Sequence, residues 1–225
     1  MSLKRLAPAY PASLTFDGVF GQSALTSAGS SAVAAFPSTQ DFSVSLAMKS
    51  DADAISQVAL IGTTNSGTTG WEIITGSSTR DLRITLRGST QHDISEVTGI
   101  NVRDGEWHEV CMVVTDSLVS VYKDGQLFKN YSAAWVGDAG GDLYVGDRGS
   151  TGTVDFAGKM QDVKLYNKAL TAKEVQLNFF DRITPSNLVL HYKMDEASGS
   201  IAADSVGSFD LTLLAGNEWS GDTLK

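Results

Sequence analysis

The sequence predicts an all-β protein: a two-sheet antiparallel jelly-roll sandwich with one short helix near residues 171–180. Three observations carry that prediction. Apolar residues alternate with period two along many short runs, the mark of strands that bury one face. Gly occurs 22 times and Pro only 4, as expected where many tight turns need positive φ. A single stretch carries both helix-start and helix-stop signals.

In order along the chain, "DFSVSLAMKS" (41–50) sets Phe42, Val44, Leu46 and Met48 on one face and Ser43, Ser45, Ala47 and Lys49 on the other. "DLRITLRG" (81–88) repeats the pattern, with Leu82, Ile84 and Leu86 inside and Arg83, Thr85 and Arg87 outside. "WHEVCMVV" (107–114) is apolar at nearly every position after Glu109 and reads as a central strand. In "SLVSVYKDGQLFKNYS" (117–132), Asp124-Gly125 between two β-rich runs predicts a two-residue hairpin turn. "DLYVGD" (142–147) is a short strand, and "FAGKMQDVKLYNKA" (156–169) a long one whose change of phase between Met160 and Val163 predicts a β-bulge. The helix starts at Thr171 as N-cap with Glu174 as capping-box partner, and Pro185 prevents its continuation.

Composition narrows the function. The 225 residues suit one large all-β domain, and 42% hydrophobic content supplies a core. A formal net charge of −9, with no basic patch beyond Lys4 and Arg5, argues against a nucleic-acid binder. One cysteine, Cys111, rules out an internal disulfide and a Cys-based zinc site. No apolar run approaches membrane-spanning length, and the N-terminal residues lack the apolar core of a secretory signal. The expected setting is therefore the cytoplasm or the exterior reached by another route.

Five motifs occur in a set order: "LTFDGV" (14–19), "FSVSLAMK" (42–49), "DGEWHEVCMVVTDSLVSVYKDGQLF" (104–128), "LYVGDRG" (143–149) and "FAGKMQDVKLYNKALTAKEVQ" (156–176). Together they resemble the concanavalin A-like, laminin-G-like jelly-roll domains, over about residues 12–180. In that family an opening pair of strands precedes these motifs. Here a similar stretch, "LVLHYKMDEASGSIAADSVGSFDLTLLAG" (188–216), follows them. One reading is circular permutation, in which residues 12–225 form a single sandwich completed by its own strands at 187–216, after an arm at 1–11. The other is strand exchange or a truncated second module, in which those strands pair with a neighbouring subunit.

The residues offer little catalytic chemistry. Hydrolases of the wider superfamily need two carboxylates flanking the cleaved bond, and their usual Glu-x-Asp-x-x-Glu strand is missing. His92, His108 and His191 show no triad or metal spacing, and Cys111 reads as a small buried hydrophobe. No enzyme is expected and no catalytic residue is assigned. The resemblance makes calcium the one cofactor to consider, with Asp138, Asp142 and Asp147 in one loop group and Asp195 and Asp204 in another as oxygen ligands. The competing reading of these acids is Asx turns in Gly-rich loops. For a glycan, Trp135 with Asp138, Asp142 and Arg148 is the preferred site; Trp71 and Trp219 also adjoin Gly- or Ser-rich turns, and Trp107 is expected in the core. The function expected is a non-catalytic interaction module. The leading version is a structural, decoration or receptor-binding component of a virion, touching other protein subunits and glycans. The alternative is a stand-alone lectin-like protein. Self-association stays open.

Overall fold

A computed structural model describes residues 11–18, 24–26, 41–50, 58–63, 70–76, 81–87, 91–132, 142–147, 155–182, 186–213 and 217–223. These form strands β1 (Ser13–Asp17), β2 (Ala24–Thr26), β3 (Phe42–Ser50), β4 (Ala59–Gly62), β5 (Gly70–Thr75), β6 (Asp81–Arg87), β7 (Gln91–Asn101), β8 (Trp107–Val114), β9 (Leu118–Lys123), β10 (Gln126–Ser132), β11 (Tyr144–Val145) and β12 (Ala157–Tyr166), then helix α1 (Ala172–Phe179) and strands β13 (Leu188–Tyr192), β14 (Ile201–Ala202), β15 (Leu211–Leu213) and β16 (Glu218–Ser220). One sheet runs β10-β9-β8-β3-β12-β1-β16, with β13 also on β12; the other runs β14-β15-β2-β11-β4-β5-β6-β7. Every pairing is antiparallel, as the jelly-roll prediction requires. No helix among the described residues is long and apolar enough to cross a membrane.

The core lies between the sheets. Phe42, Val44, Leu46, Met48, Val110, Met112 and Leu165 from the first meet Leu60, Trp71, Ile73, Leu82, Ile84 and Leu86 from the second, all essentially inaccessible. The alternation in β3 thus selects the core-facing residues correctly. Its other face is not open to solvent, however: Ser43, Ser45 and Ala47 are buried too. The segment after β12 crosses over them, so that Ser43 Oγ donates to the Lys168 carbonyl at 2.8 Å and accepts from the Leu170 amide at 3.0 Å. Thr85, expected outside, is also buried.

Local signals appear where the residues predict them. Asp124 and Gly125 both take positive φ, 52° and 71°, which matches the right-handed twist of the β9–β10 hairpin. The Asp124 carboxylate accepts from the Glu109 amide at 2.9 Å and contacts His108 Nδ1 at 3.0 Å. Asp104 takes the other ring nitrogen at 3.0 Å. Burial works against the charged imidazole, but these two carboxylates outweigh it and the His108 pKa is raised. Thr171 caps α1 in a complete capping box with Glu174. The bulge falls between Gln161 and Lys164 in the β12–β3 pairing.

That bulge seats a buried polar network under α1. Asp162 adopts φ of 55°, an uncommon conformation for a non-glycine residue, and its carboxylate accepts from Lys164 Nζ at 2.8 Å and contacts His191 Nε2 at 2.8 Å. Lys164 Nζ and Tyr166 OH both donate to Asn178 Oδ1, at 3.2 and 3.1 Å. A second apolar cluster of Cys111, Val113, Tyr122, Tyr166, Leu170 and Val175 holds the helix down beside it. Burial raises the Cys111 thiol well above its ordinary pKa, so it packs as a hydrophobe.

The late strands join this chain's own sheets. β13 pairs with Val163–Tyr166 of β12, while β1 pairs with Ala157–Met160 of the same strand, so the two lie end to end on one flank. β15 pairs with β2, and β16 with β1. Pro11 alone of the expected arm 1–11 is among the described residues.

Candidate functional site

The site is built where β1, β12 and β3 come close together. Gly158 has φ of 150°, and a Cβ there would sit 2.3 Å from the Lys49 carbonyl oxygen, so only glycine fits. This close approach borders a cavity of about 190 Å³ lined by Thr15, Phe16, Asp17, Lys49, Gly158 and Lys159, with Ala157 beside them. Phe16, one of the lining residues, is stacked edge-to-face on Phe156 at 5.7 Å.

Strand register then aligns a polar row across the outer face of the sheet. Trp107 lies opposite Lys49, Lys49 opposite Lys159, Lys159 opposite Thr15, and Thr15 opposite Glu218. Two ammonium groups on adjacent strands repel unless an anion joins them. Asp222 is that anion: its carboxylate accepts from Lys159 at 2.8 Å, Lys49 at 2.9 Å and the Trp107 indole at 3.2 Å. The bond from Lys159 is the largest influence, and with Lys49 and Trp107 it overcomes partial burial and holds Asp222 far below the usual carboxylate range. Ser13 Oγ fastens the same segment by donating to the Asp222 carbonyl at 2.6 Å.

Asp17 of the cavity lining acts electrostatically on a nearby pair of acids. Asp147 is buried at the end of β11, where Gly146 donates to the Leu60 carbonyl and accepts from the Phe156 amide, each near 2.9 Å. Asp155 stands beside it. Burial, the Asp147 charge, a hydrogen bond with Asp147 and the charge of Asp17 together push the Asp155 carboxyl up to about 6. Its Oδ1 is buried without a hydrogen-bond partner. Among the described residues, no three His, Cys, Asp or Glu side chains group as metal ligands.

The residues expected from sequence fall in several places. Trp135, Asp138 and Arg148 lie outside the described residues. Asp142 is half-buried just before β11, and its charge acts on Tyr144. Asp147 is joined by Asp155 and by the charge of Asp17, neither of which the loop composition singles out; Asp17 was visible only as part of "LTFDGV". Asp204 is committed elsewhere. Its two carboxylate oxygens accept from the backbone amides of His191, Val206, Gly207 and Phe209, at 3.0 to 3.4 Å, which makes it the organiser of its loop. Asp195 lies half-buried after β13. The tryptophans correct the expectation. Trp71 is a core residue, 1% exposed and packed on Phe42 at 5.6 Å, because β5 turns Trp71 and Ile73 inward. Trp107, expected in the core, is half-buried on the outer face because its register partner Lys49 faces outward. Trp219 packs on the rim of the core and donates to the Gly199 carbonyl at 2.9 Å.

Comparison with known proteins bears on the fold. A 16%-identical protein from Bacteroides ovatus, provisionally described as carbohydrate-binding, superposes with a TM-score of 0.69 over 97% of this chain; the chain spans 62% of that protein's length. A heptameric SAP-like pentraxin from Limulus polyphemus aligns with a TM-score of 0.57 at 15% identity, covering 93% of this chain and 98% of the pentraxin. The mouse laminin alpha1 domains LG4-5 give 0.52 at 14% identity, over 71% of this chain and 44% of theirs. No curated protein sequence matches. The virion role read from the sequence gains no support from these neighbours. Residues 21–176 match the family model described as the concanavalin A-like lectin/glucanases superfamily, and the chain belongs to that superfamily.

Proposed function

We propose that this chain is a non-catalytic binding module that takes a carbohydrate in the cavity between Asp17 and the Lys49–Lys159 pair. The observation that carries this reading is the lining itself. Lys49, Lys159, Asp17 and Thr15 line one hollow, and the half-buried Trp107 lies opposite Lys49 in register. Sugar hydroxyls need this mixture of donors and acceptors, and the face of an aromatic ring suits a sugar's apolar C–H face. Family membership and the Bacteroides ovatus neighbour support the same reading. Among the described residues, Asp17 is the one carboxylate lining the cavity, whereas glycoside hydrolysis needs two across the bond. The binding is tested on a glycan array followed by calorimetry. Lys159→Ala is expected to weaken any hit by about tenfold or more, since hydrogen bonds to charged groups contribute about 1.5–3 kcal/mol. Unchanged affinity in that variant removes the cavity from the reading.

The module is read as one sandwich closed by its own C-terminal strands, supported by the β13–β12 and β15–β2 pairings. Calcium, on this reading, goes to Asp147 and Asp155. Two desolvated carboxylates pressed together, one with an unpartnered oxygen, favour a hard cation that both neutralises them and accepts oxygen ligands. Without the ion, the raised Asp155 value means that ionising it costs stability. The cost begins above its unfolded value of 3.8 and is complete above about 6. Calcium is therefore expected to raise the melting midpoint at pH 7 relative to chelator. Asp155→Asn should melt higher than the wild type in chelator and lose the calcium response. Equal midpoints with and without calcium would end the assignment.

A further inference from the structure

The carboxylate of Asp222 makes the contacts that a bound carboxylate ligand would make. It accepts from two ammonium groups and one indole N–H, and all three donors belong to strands β3, β12 and β8, set in line by sheet register. The segment that brings Asp222 there is short. β16 has three residues and, among the described residues, pairs with β1 alone at the end of the strand order. Gly221, between β16 and Asp222, has open space around it, and the Asp222 side chain is 37% exposed. The same two lysines also line the adjoining cavity, together with Thr15 and Asp17. A molecule that put a carboxylate in place of Asp222 would share its lysine partners with that cavity.

We propose that Trp107, Lys49 and Lys159 form a recognition site for an acidic sugar of the uronic acid class, and that Asp222 fills this site as an internal stand-in until such a ligand displaces it. The inference rests on the carbohydrate reading of the adjoining cavity and names the ligand's charge. A neutral sugar has no group to take up the two ammonium charges, whereas a uronate conserves every interaction that Asp222 gives up. Because Asp222 is tethered, it competes at high effective concentration. The wild type therefore binds the acidic sugar more weakly than the bare site would, and binding weakens as salt screens the charges.

The test is calorimetry on the full chain with trigalacturonate and, as its neutral counterpart, galactotriose, at low and high salt. Asp222→Asn keeps the shape of the side chain and removes its charge. It is expected to bind trigalacturonate at least tenfold more tightly than the wild type, with a much smaller change for galactotriose and the trigalacturonate gain lost at high salt. Adding Lys159→Ala to that variant should abolish the gain. Equal trigalacturonate affinity in folded wild type and Asp222→Asn overturns the inference. If galactotriose still binds in that case, the carbohydrate reading stands alone; if neither sugar binds either protein, both fall. Should Asp222→Asn fail to fold, the wild type titrated with trigalacturonate decides. Displacement of Asp222 must shift the Trp107 indole N–H resonance, and a resonance that stays fixed at saturating sugar overturns the inference equally.

Discussion

Replacing Lys164 with methionine is expected to lower the free energy of unfolding by about 3–5 kcal/mol. The Lys164 and Asp162 side chains are 5% and 2% exposed and meet at 2.8 Å. Removing the cation takes the 2.8 Å ammonium partner from a carboxylate inside the protein, which keeps its contact with His191. Asn178 loses a donor at the same time, and α1 loses a tie to the sheet beneath it. The loss should appear as a lower urea midpoint with an unchanged slope. Replacing both partners, Asp162→Asn with Lys164→Met, should recover part of the loss, because the Asp162 charge is then no longer buried, although Asp181 still loses its Lys164 contact at 3.8 Å. A loss below about 1 kcal/mol for Lys164→Met alone would show that water reaches the pair.

Trp71→Ala should cost a similar amount, about 3–5 kcal/mol, because it empties a large site in a close-packed core where Phe42 cannot follow. Trp107→Ala should behave in the opposite way. Its half-buried ring lies outside the core, and removing it deletes one hydrogen bond to Asp222, worth about 1.5–3 kcal/mol at most for a charged acceptor. Carbohydrate affinity should fall more in Trp107→Ala than in Trp71→Ala, when both are compared at a temperature where each is folded. Chemical denaturation and calorimetry on the two variants separate these effects. Equal stability losses would mean that the two tryptophans have been assigned to the wrong faces.

The pair also shows what could be read from residues alone. Features decided by near neighbours were legible: the Asp124-Gly125 turn, the Thr171–Glu174 capping box and the phase change at the β12 bulge each depend on a few consecutive residues. Which face a tryptophan takes depends on a partner strand. Trp71 and Trp107 both stand beside turns, and only their pairing with Leu86 and Lys49 separates inside from outside. The outer face of β3 misled for a related reason, since alternation cannot reveal that Lys168 and Leu170 will return to cover Ser43. The candidate site was the least legible part. Lys49 and Asp222 are 173 positions apart, and Asp155 acquires its raised carboxyl by burial beside Asp147. No spacing rule encodes either contact.

The pairing of β1 with β16 has a mechanical consequence. Ser13 lies opposite Ser220, so the chain segments before β1 and after β16 leave the sheet from the same end. Tension applied through both would load this antiparallel pair as a zipper, opening its hydrogen bonds one after another from Ser13 and Ser220 inward. The Ser13–Asp222 bond and the lysine clamp sit at that mouth and would carry the load first. A weak pull would then peel away Asp222 and β16 while β3, β8 and β12 stayed paired at the centre of the sheet. The Trp107–Lys49–Lys159 row would thereby be uncovered by force as well as by a competing ligand.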